Sequence, residues 1–252
     1  MFFFDKMPPM KETIKSYVRA FCCSEDVYID PGLEEKIDMD YICENVDSWD
    51  EKSTKNLVKS FASLSNELKD ELPYYGTIIS DDASGRLLSL FFRKIINKKR
   101  EELDKDSVST YFLTPWRGKY EEVNESIDEF LKEKVNPYEK VLVLTEHIDT
   151  GASLTPIINS LEKQENIEFD IASISVNKYF RLPNELENKV IYVSRSRDGL
   201  ALYNGVFAGV KKEISGNIGI HPQKRKGCEN QKFLNQARQE IGLIADEILK
   251  AV

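Results

Sequence analysis

Nine consecutive residues near the middle of the chain, Thr145-Glu146-His147-Ile148-Asp149-Thr150-Gly151-Ala152-Ser153, combine two carboxylates, an imidazole, three hydroxyls and a glycine. The second half of this stretch, Thr150 to Ser153, is small and hydroxyl-rich and stands where a helix is expected to begin. Helix N-termini offer backbone N–H groups and the positive end of the helix dipole to anions, and glycine lets a phosphate approach the backbone closely. Glu146 and Asp149 would repel a phosphate unless they serve something else, such as sugar hydroxyls, Mg2+ or a substrate proton. A sugar phosphate with its metal meets all of these demands. Helix capping by Asp149, Thr150 or Ser153 would account for the hydroxyls alone, but not for two acids and a T-G-x-S turn in this order behind an apolar run.

The elements that position this loop can be read from the flanking pattern. Val141-Leu142-Val143-Leu144 is a continuous apolar strand of the kind buried on both faces of a parallel sheet, and Leu154–Leu161 reads as the helix that leaves the loop. Upstream, Thr77–Ile79 reads as a strand, 81–86 as a loop and Leu87–Asn97 as a helix. Val108–Leu113 is a strand stopped by Pro115, and Val123–Val135 a helix. Downstream, Ile171–Val176 and Val190–Val193 are further strands. Strands alternating with helices of this length predict an α/β fold: a mainly parallel, twisted sheet flanked by helices, with the loops at the strands' carboxyl ends sharing one edge. Loops 80–86 and 145–153 are expected to meet there.

The remainder of the chain divides around this core. Residues 1–72 read as a helical N-terminal extension or hood, with one apolar face through Ile14, Tyr17, Val18 and Phe21. A second face runs through Leu57, Phe61, Leu64 and Leu68 in a segment, Asp50–Leu72, ended by Pro73. Residues 73–200 form the α/β core, and 201–252 a C-terminal extension whose last helix, Gln231–Val252, packs through Leu234, Ala237, Ile241, Ile244, Ala245 and Ile248.

Composition limits the function classes. Of 252 residues, 41% are hydrophobic and 31% charged, the balance of a soluble globular chain. No apolar run approaches the roughly 20 residues of a membrane span, and the apolar start lacks the marks of a signal peptide, which predicts a cytoplasmic protein. Four cysteines without C-x-x-C spacing give no support to a zinc ribbon or thiol-redox motif. A net charge of −8 argues against nucleic acid as a partner, although Lys211-Lys212 and Lys224-Arg225-Lys226 make one basic region, read as a solvated surface or as a phosphate- or RNA-facing patch.

The stretch Val141 to Ser153 resembles the signature of the type I phosphoribosyltransferases: a buried strand, two acids, two mostly apolar positions, then a T-G-x-T/S turn. The resemblance covers about residues 74–195 and implies a type I phosphoribosyltransferase-like fold. It implies that Thr150, Gly151, Ala152 and Ser153 hold the 5′-phosphate of phosphoribosyl pyrophosphate, that Glu146 bonds the ribose, and that Asp149 acts as general base toward the acceptor. The first family acid is replaced by Thr145, which can hydrogen-bond a hydroxyl but brings no charge. His147 occupies a usually apolar position and is read as a filler.

The family's diphosphate loop is matched by Ile78 to Arg86, with Asp81, Asp82, Ser84, Gly85 and Arg86 as its residues. There Arg86 would help stabilise the leaving diphosphate, and capping by Asp82 or Ser84 is the plain alternative. Arg117 and Lys119, in Trp116-Arg117-Gly118-Lys119, match a mobile basic loop, and Lys178 a base-contacting lysine. The resemblance also implies Mg2+, with Asp82 and Glu146 as its protein ligands, and a homodimer. The activity expected is transfer of a 5-phosphoribosyl group to a nitrogenous base. The alternative is a non-catalytic sensor or regulator that binds phosphoribosyl pyrophosphate or a nucleotide on the same fold.

Overall fold

The computed structural model describes residues 27–113, 120–179, 186, 189–196 and 231–252, and of residues 82–84, 120–124, 196 and 231–234 only the backbone. The helix expected around Ile14–Phe21, the residues Arg117 and Lys119, and the basic residues of 211–226 lie outside this set.

Five parallel strands form one sheet in the order β2-β1-β3-β4-β5: β1 is Tyr75–Asp81, β2 Ser109–Leu113, β3 Lys140–Ile148, β4 Phe169–Asn177 and β5 Val190–Ser196. The α/β class and parallel sheet read from the sequence are those observed. Preceding the sheet are α1 (Pro31–Glu34), α2 (Met39–Asn45) and α3 (Glu51–Leu68). Helix α4 is Asp82–Glu101, α5 Tyr120–Lys134, α6 Thr155–Glu162 and α7 Gln231–Leu249. Asp50 caps α3, accepting from the N–H of Ser53 at 2.9 Å, and the helix ends at Leu68, before a 3-10 turn that contains Pro73.

Each sheet face has its own core. Ile78, Leu142, Leu144, Ala172 and Ile174 pack against α3, α4 and α7, through Phe61, Phe91, Phe92 and Ile241 among others. Ile79, Val141, Val143 and Ile171 pack on the opposite face against α5 and α6, through Phe130, Leu131, Ile157 and Leu161. The helices from residue 31 to 68 therefore share a core with the sheet, and α7 lies along α4. Burying both faces is what makes the strands read as near-continuous apolar runs. Among the described residues no helix is long and apolar enough to cross a membrane.

Two boundaries differ from the sequence reading, and both concern the candidate loops. The stretch 81–86 is not a loop: β1 runs through Asp81 and α4 begins at Asp82. β3 does not stop at Leu144 but continues through Ile148, so Thr145, Glu146 and His147 are strand residues. Polar side chains disguised the extension, because a strand's last residues at a ligand edge need not be apolar.

Candidate functional site

In this strand order the chain lays β2 on one side of β1 and β3, β4 and β5 on the other, so β1 and β3 flank a topological switch point. The helix after β1 covers one face and the helix after β3 the other. Loops that part in this way mark a crevice beyond the strands' carboxyl ends, the usual ligand position in open α/β sheets.

On the β3 side of the crevice, Gly151 adopts φ of 76°, a left-handed conformation that side-chain-bearing residues rarely accept. The turn is closed by the N–H groups of Leu154 and Thr155, both donating to the Gly151 carbonyl at 2.9 Å, and by the Thr155 hydroxyl at 3.0 Å. The Ala152 N–H leans on the Thr150 hydroxyl at 3.4 Å. One turn thus separates Gly151 from the first residue of α6, Thr155; the sequence had placed the helix start one residue earlier. Left-handed residues of this kind build the concave runs of N–H groups that hold anions.

On the β1 side, α4 starts directly at the strand end. A Cβ on Gly85 would meet the buried Ser80 hydroxyl at 1.6 Å, Ser80 Cβ at 2.9 Å and the Leu144 carbonyl oxygen at 3.0 Å. The missing side chain therefore lets the first turn of α4 close onto β1 and β3 at the switch point. Arg86 follows, its guanidinium stacked 4.4 Å from the centre of the Phe112 ring at the end of β2.

Between the two sides, β3 and β4 break their alternation at the same level. Leu144 and Ile148 belong to opposite cores although four residues apart, as do Ile174 and Val176, only two apart. The register is unchanged across the break, with Thr145 opposite Ser173 and His147 opposite Ser175. Hydroxyl bonds to the chain's own backbone accompany it: Ser173 Oγ donates to the Ser175 carbonyl at 2.8 Å and to the Glu146 carbonyl at 3.3 Å. Thr145 Oγ1 donates to the His147 carbonyl at 3.5 Å. Such local side-chain bonds compete with regular strand geometry.

Beyond the break His147 Nδ1 lies 2.8 Å from Ser175 Oγ, and Asn177 Nδ2 donates to Asp149 Oδ1 at 2.6 Å. His147 is half-buried and Asp149 exposed, so Asp149 has one oxygen held by an amide while the carboxylate faces outward. Lys178 is exposed next to Asn177, 5.6 Å from the Tyr179 ring centre.

The structure therefore brings Asp81, Gly85, Arg86, Asp149 to Ser153 and Lys178 to one edge. Glu146 is different: it has no exposed surface, and Thr145 is 1% exposed, so both lie beneath the crevice floor. Buried Glu146 offers no open carboxylate of the kind Mg2+ takes, and the side chain of Asp82, the other expected ligand, lies outside the described set. Glu146 is sealed, Thr145 carries no charge, and among the described residues no three metal-ligating side chains converge. Ser173, Ser175 and Asn177 were missed by the sequence reading. Their signal was available as polar residues at every second position of an otherwise apolar buried strand.

No family model matches the chain, and no curated protein matches it. Solved structures do. The xanthine-guanine-hypoxanthine phosphoribosyltransferase of Helicobacter pylori is 13% identical, over 56% of this chain and 82% of that one, with a TM-score of 0.37. A purine phosphoribosyltransferase from Pyrococcus horikoshii is 16% identical over 57% and 84%, with a TM-score of 0.36. The orotate phosphoribosyltransferase of Aeropyrum pernix is 12% identical over 74% and 93%, also at 0.36. All three are phosphoribosyltransferases.

Proposed function

We propose that the chain binds 5-phosphoribosyl pyrophosphate at the β1/β3 switch point and transfers its phosphoribosyl group to a ring nitrogen of a nucleobase or related acceptor. The observation that carries this reading is the exposed Asp149 carboxylate, oriented by Asn177 and set beside the left-handed Gly151 turn, across the crevice from the start of α4. A phosphate and a proton acceptor are thereby served a few residues apart, which is what a phosphorylated sugar and an N–H nucleophile require.

In this reading the 5′-phosphate takes the Thr150–Ser153 turn, and the diphosphate takes the α4 start with Arg86. The glycosidic carbon–oxygen bond to diphosphate breaks, and the acceptor nitrogen forms the new bond to that carbon. The nitrogen's proton passes to Asp149, whose second oxygen stays bonded to Asn177. Holding both reactants in line and meeting the leaving group's charge with Arg86 supply most of the acceleration. Glu146 and Thr145 support the floor from below. Mg2+ would supply charge neutralisation to the diphosphate rather than occupy a preformed site on the chain, so MgCl2 alone should give no heat in a titration.

A second reading, a non-catalytic binder of phosphoribosyl pyrophosphate or a nucleotide, is favoured by the neutral Thr145 and the buried Glu146. One experiment separates the two. Calorimetric titration with phosphoribosyl pyrophosphate and Mg2+ is expected to show binding. It should weaken in Thr150→Ala and Ser153→Ala, while Asp149→Asn keeps binding and loses diphosphate release by about 10²–10⁴-fold across a panel of bases. Binding by the parent without release for any base selects the sensor. Unchanged binding in the Thr150 and Ser153 variants removes the site assignment.

A further inference from the structure

The sheet ends at β5, whose strand partner among the described residues is β4 alone. Its side chains alternate as a strand's must. Ile191 and Val193 pack toward the core shared with α3, and Val190 and Tyr192 toward the opposite core. Yet all four residues line one hollow of about 370 Å3. Consecutive residues that face opposite ways share a hollow only where it runs along their backbone, so this one opens on the outer edge of β5. Such an edge presents a row of N–H and C=O groups to any chain that lies along it.

The rest of the lining is acidic. Asn66 and Glu67, in the last turn of α3, line the hollow, and that turn contains no basic residue. The carbonyl end of a helix carries partial negative charge, to which the Glu67 carboxylate adds. Asp30 lines the hollow too, with one oxygen accepting from the Leu33 N–H at 3.1 Å and so capping α1. Its segment is held to α3 by Ser63 Oγ, which donates to the Tyr28 carbonyl at 3.2 Å. Glu67 and Asp30 are exposed, and among the described residues neither has a cationic partner. Cations on the same elements are committed or set apart. Lys59 pairs with Glu34 at 2.8 Å, and Arg195 donates to the Tyr192 hydroxyl at 3.1 Å. Lys69 follows α3, but no lysine or arginine lines the hollow.

We propose that the outer edge of β5 is a docking site for an extended, basic peptide segment of a partner protein. The segment adds a strand to the sheet and sets a lysine or arginine against the wall made by Glu67, Asp30 and the end of α3. Backbone pairing supplies the affinity, and the acidic wall selects the sequence. Two copies of this chain pairing through β5 would bring acidic wall to acidic wall, in a chain of net charge −8, so charge favours a basic partner over self-association. β5 lies two strands, about 10 Å, from β3, which makes this site separate from the crevice at the switch point.

The test uses the full chain and three fluorescein-labelled peptides, read by fluorescence anisotropy: a short peptide alternating valine with lysine, the same peptide with glutamate for lysine, and the lysine peptide N-methylated at every amide. The lysine peptide should bind and the glutamate peptide should not. N-methylation should weaken binding by at least about 10-fold, because it removes the donors of the new ladder. Glu67→Gln and Asp30→Asn should each weaken the lysine peptide by about 3-fold, and the double variant by about 10-fold. Both substitutions leave the fold intact, since residue 67 is exposed and asparagine caps a helix as well as aspartate. Parental affinity in the double variant, or equal binding of the glutamate peptide, overturns the proposal. Equal binding of the methylated peptide overturns it in favour of a site for the cationic side chain alone, and binding of no peptide overturns it outright.

Discussion

The two edges of the sheet use similar side chains in opposite ways. At the amino edge, acids, bases and a phenol close on one another. Tyr75 Oη donates to Asp170 at 2.5 Å, and Lys140 reaches both Asp170 at 2.8 Å and Glu71 at 2.9 Å. Arg100, 2% exposed, donates to the Tyr75 carbonyl at 2.9 Å, to the Asp106 carbonyl at 2.5 Å and to Glu139 at 2.5 Å. At the carboxyl edge the polar groups are aimed outward or paired so as to fix an orientation: Asn177 on Asp149, Ser175 on His147, Phe112 under Arg86. A strand end whose polar groups satisfy each other is a fastening. A strand end that leaves a held carboxylate facing solvent is open to a ligand.

The contrast is broken first at Arg100. Arg100→Met should destabilise the protein by about 3 kcal/mol, toward the low end for a broken buried pair because Glu139 keeps some contact with water. Two carbonyls and Glu139 lose their donor at once. Urea denaturation would show the loss as a lower midpoint, and phosphoribosyl pyrophosphate affinity per folded molecule should not move. A fall in affinity without a fall in stability would mean that the amino edge is no mere fastening.

Gly85 probes the other edge. Gly85→Ala adds a methyl group that the Ser80 hydroxyl can swing away from, but Ser80 Cβ and the Leu144 carbonyl oxygen remain within 2.9–3.0 Å. Overpacking of this kind costs roughly 1–3 kcal/mol, offset in part by alanine's better helix propensity. The larger consequence is positional: the α4 start must lift from the switch point and carry Arg86 with it. Diphosphate affinity should drop more than the stability loss alone explains. Parental affinity in Gly85→Ala would remove the α4 start from the site.

What the sequence disclosed follows the same division. The buried strands announced themselves because both faces are covered, as in Val141–Leu144, and α3 through its stripe Leu57, Phe61, Leu64 and Leu68. The turn after β3 was legible because it is local: Gly151 and its hydroxyl neighbours lie within four residues. The partners from β4 were not, since Ser175 and Asn177 meet His147 and Asp149 through a register offset of 28 residues that only the sheet establishes. The start of α4 was taken for a loop because Asp81-Asp82 and Ser84-Gly85 look like turn residues, whereas Gly85 is there to admit close packing.

The smallest effect separates the edges by pH. Tyr75 has its pKa raised well above the ordinary phenol value, first by burial and then by the bond to Asp170 and the charges of Asp170 and Glu71. Lys140 is raised too: burial works against its charge, but the bonds to Asp170 and Glu71 outweigh it. Both groups keep their protons in the folded state at a pH where the unfolded chain releases them. Their contribution is therefore full below about pH 10, the unfolded range for Tyr and Lys, and declines as pH rises through and beyond it. Stability should be level from neutral pH to about pH 9 and fall above pH 10. Tyr75→Phe should cost about 1–2 kcal/mol at neutral pH by removing a hydrogen bond to a carboxylate. It should also flatten part of the alkaline fall, leaving the share that belongs to Lys140. Urea midpoints measured at several pH values for parent and variant test this directly; parallel curves would show that the Tyr75 proton is not linked to folding. Diphosphate affinity at neutral pH should be the same in both proteins, because nothing at the amino edge titrates into the crevice at the other end of the strands.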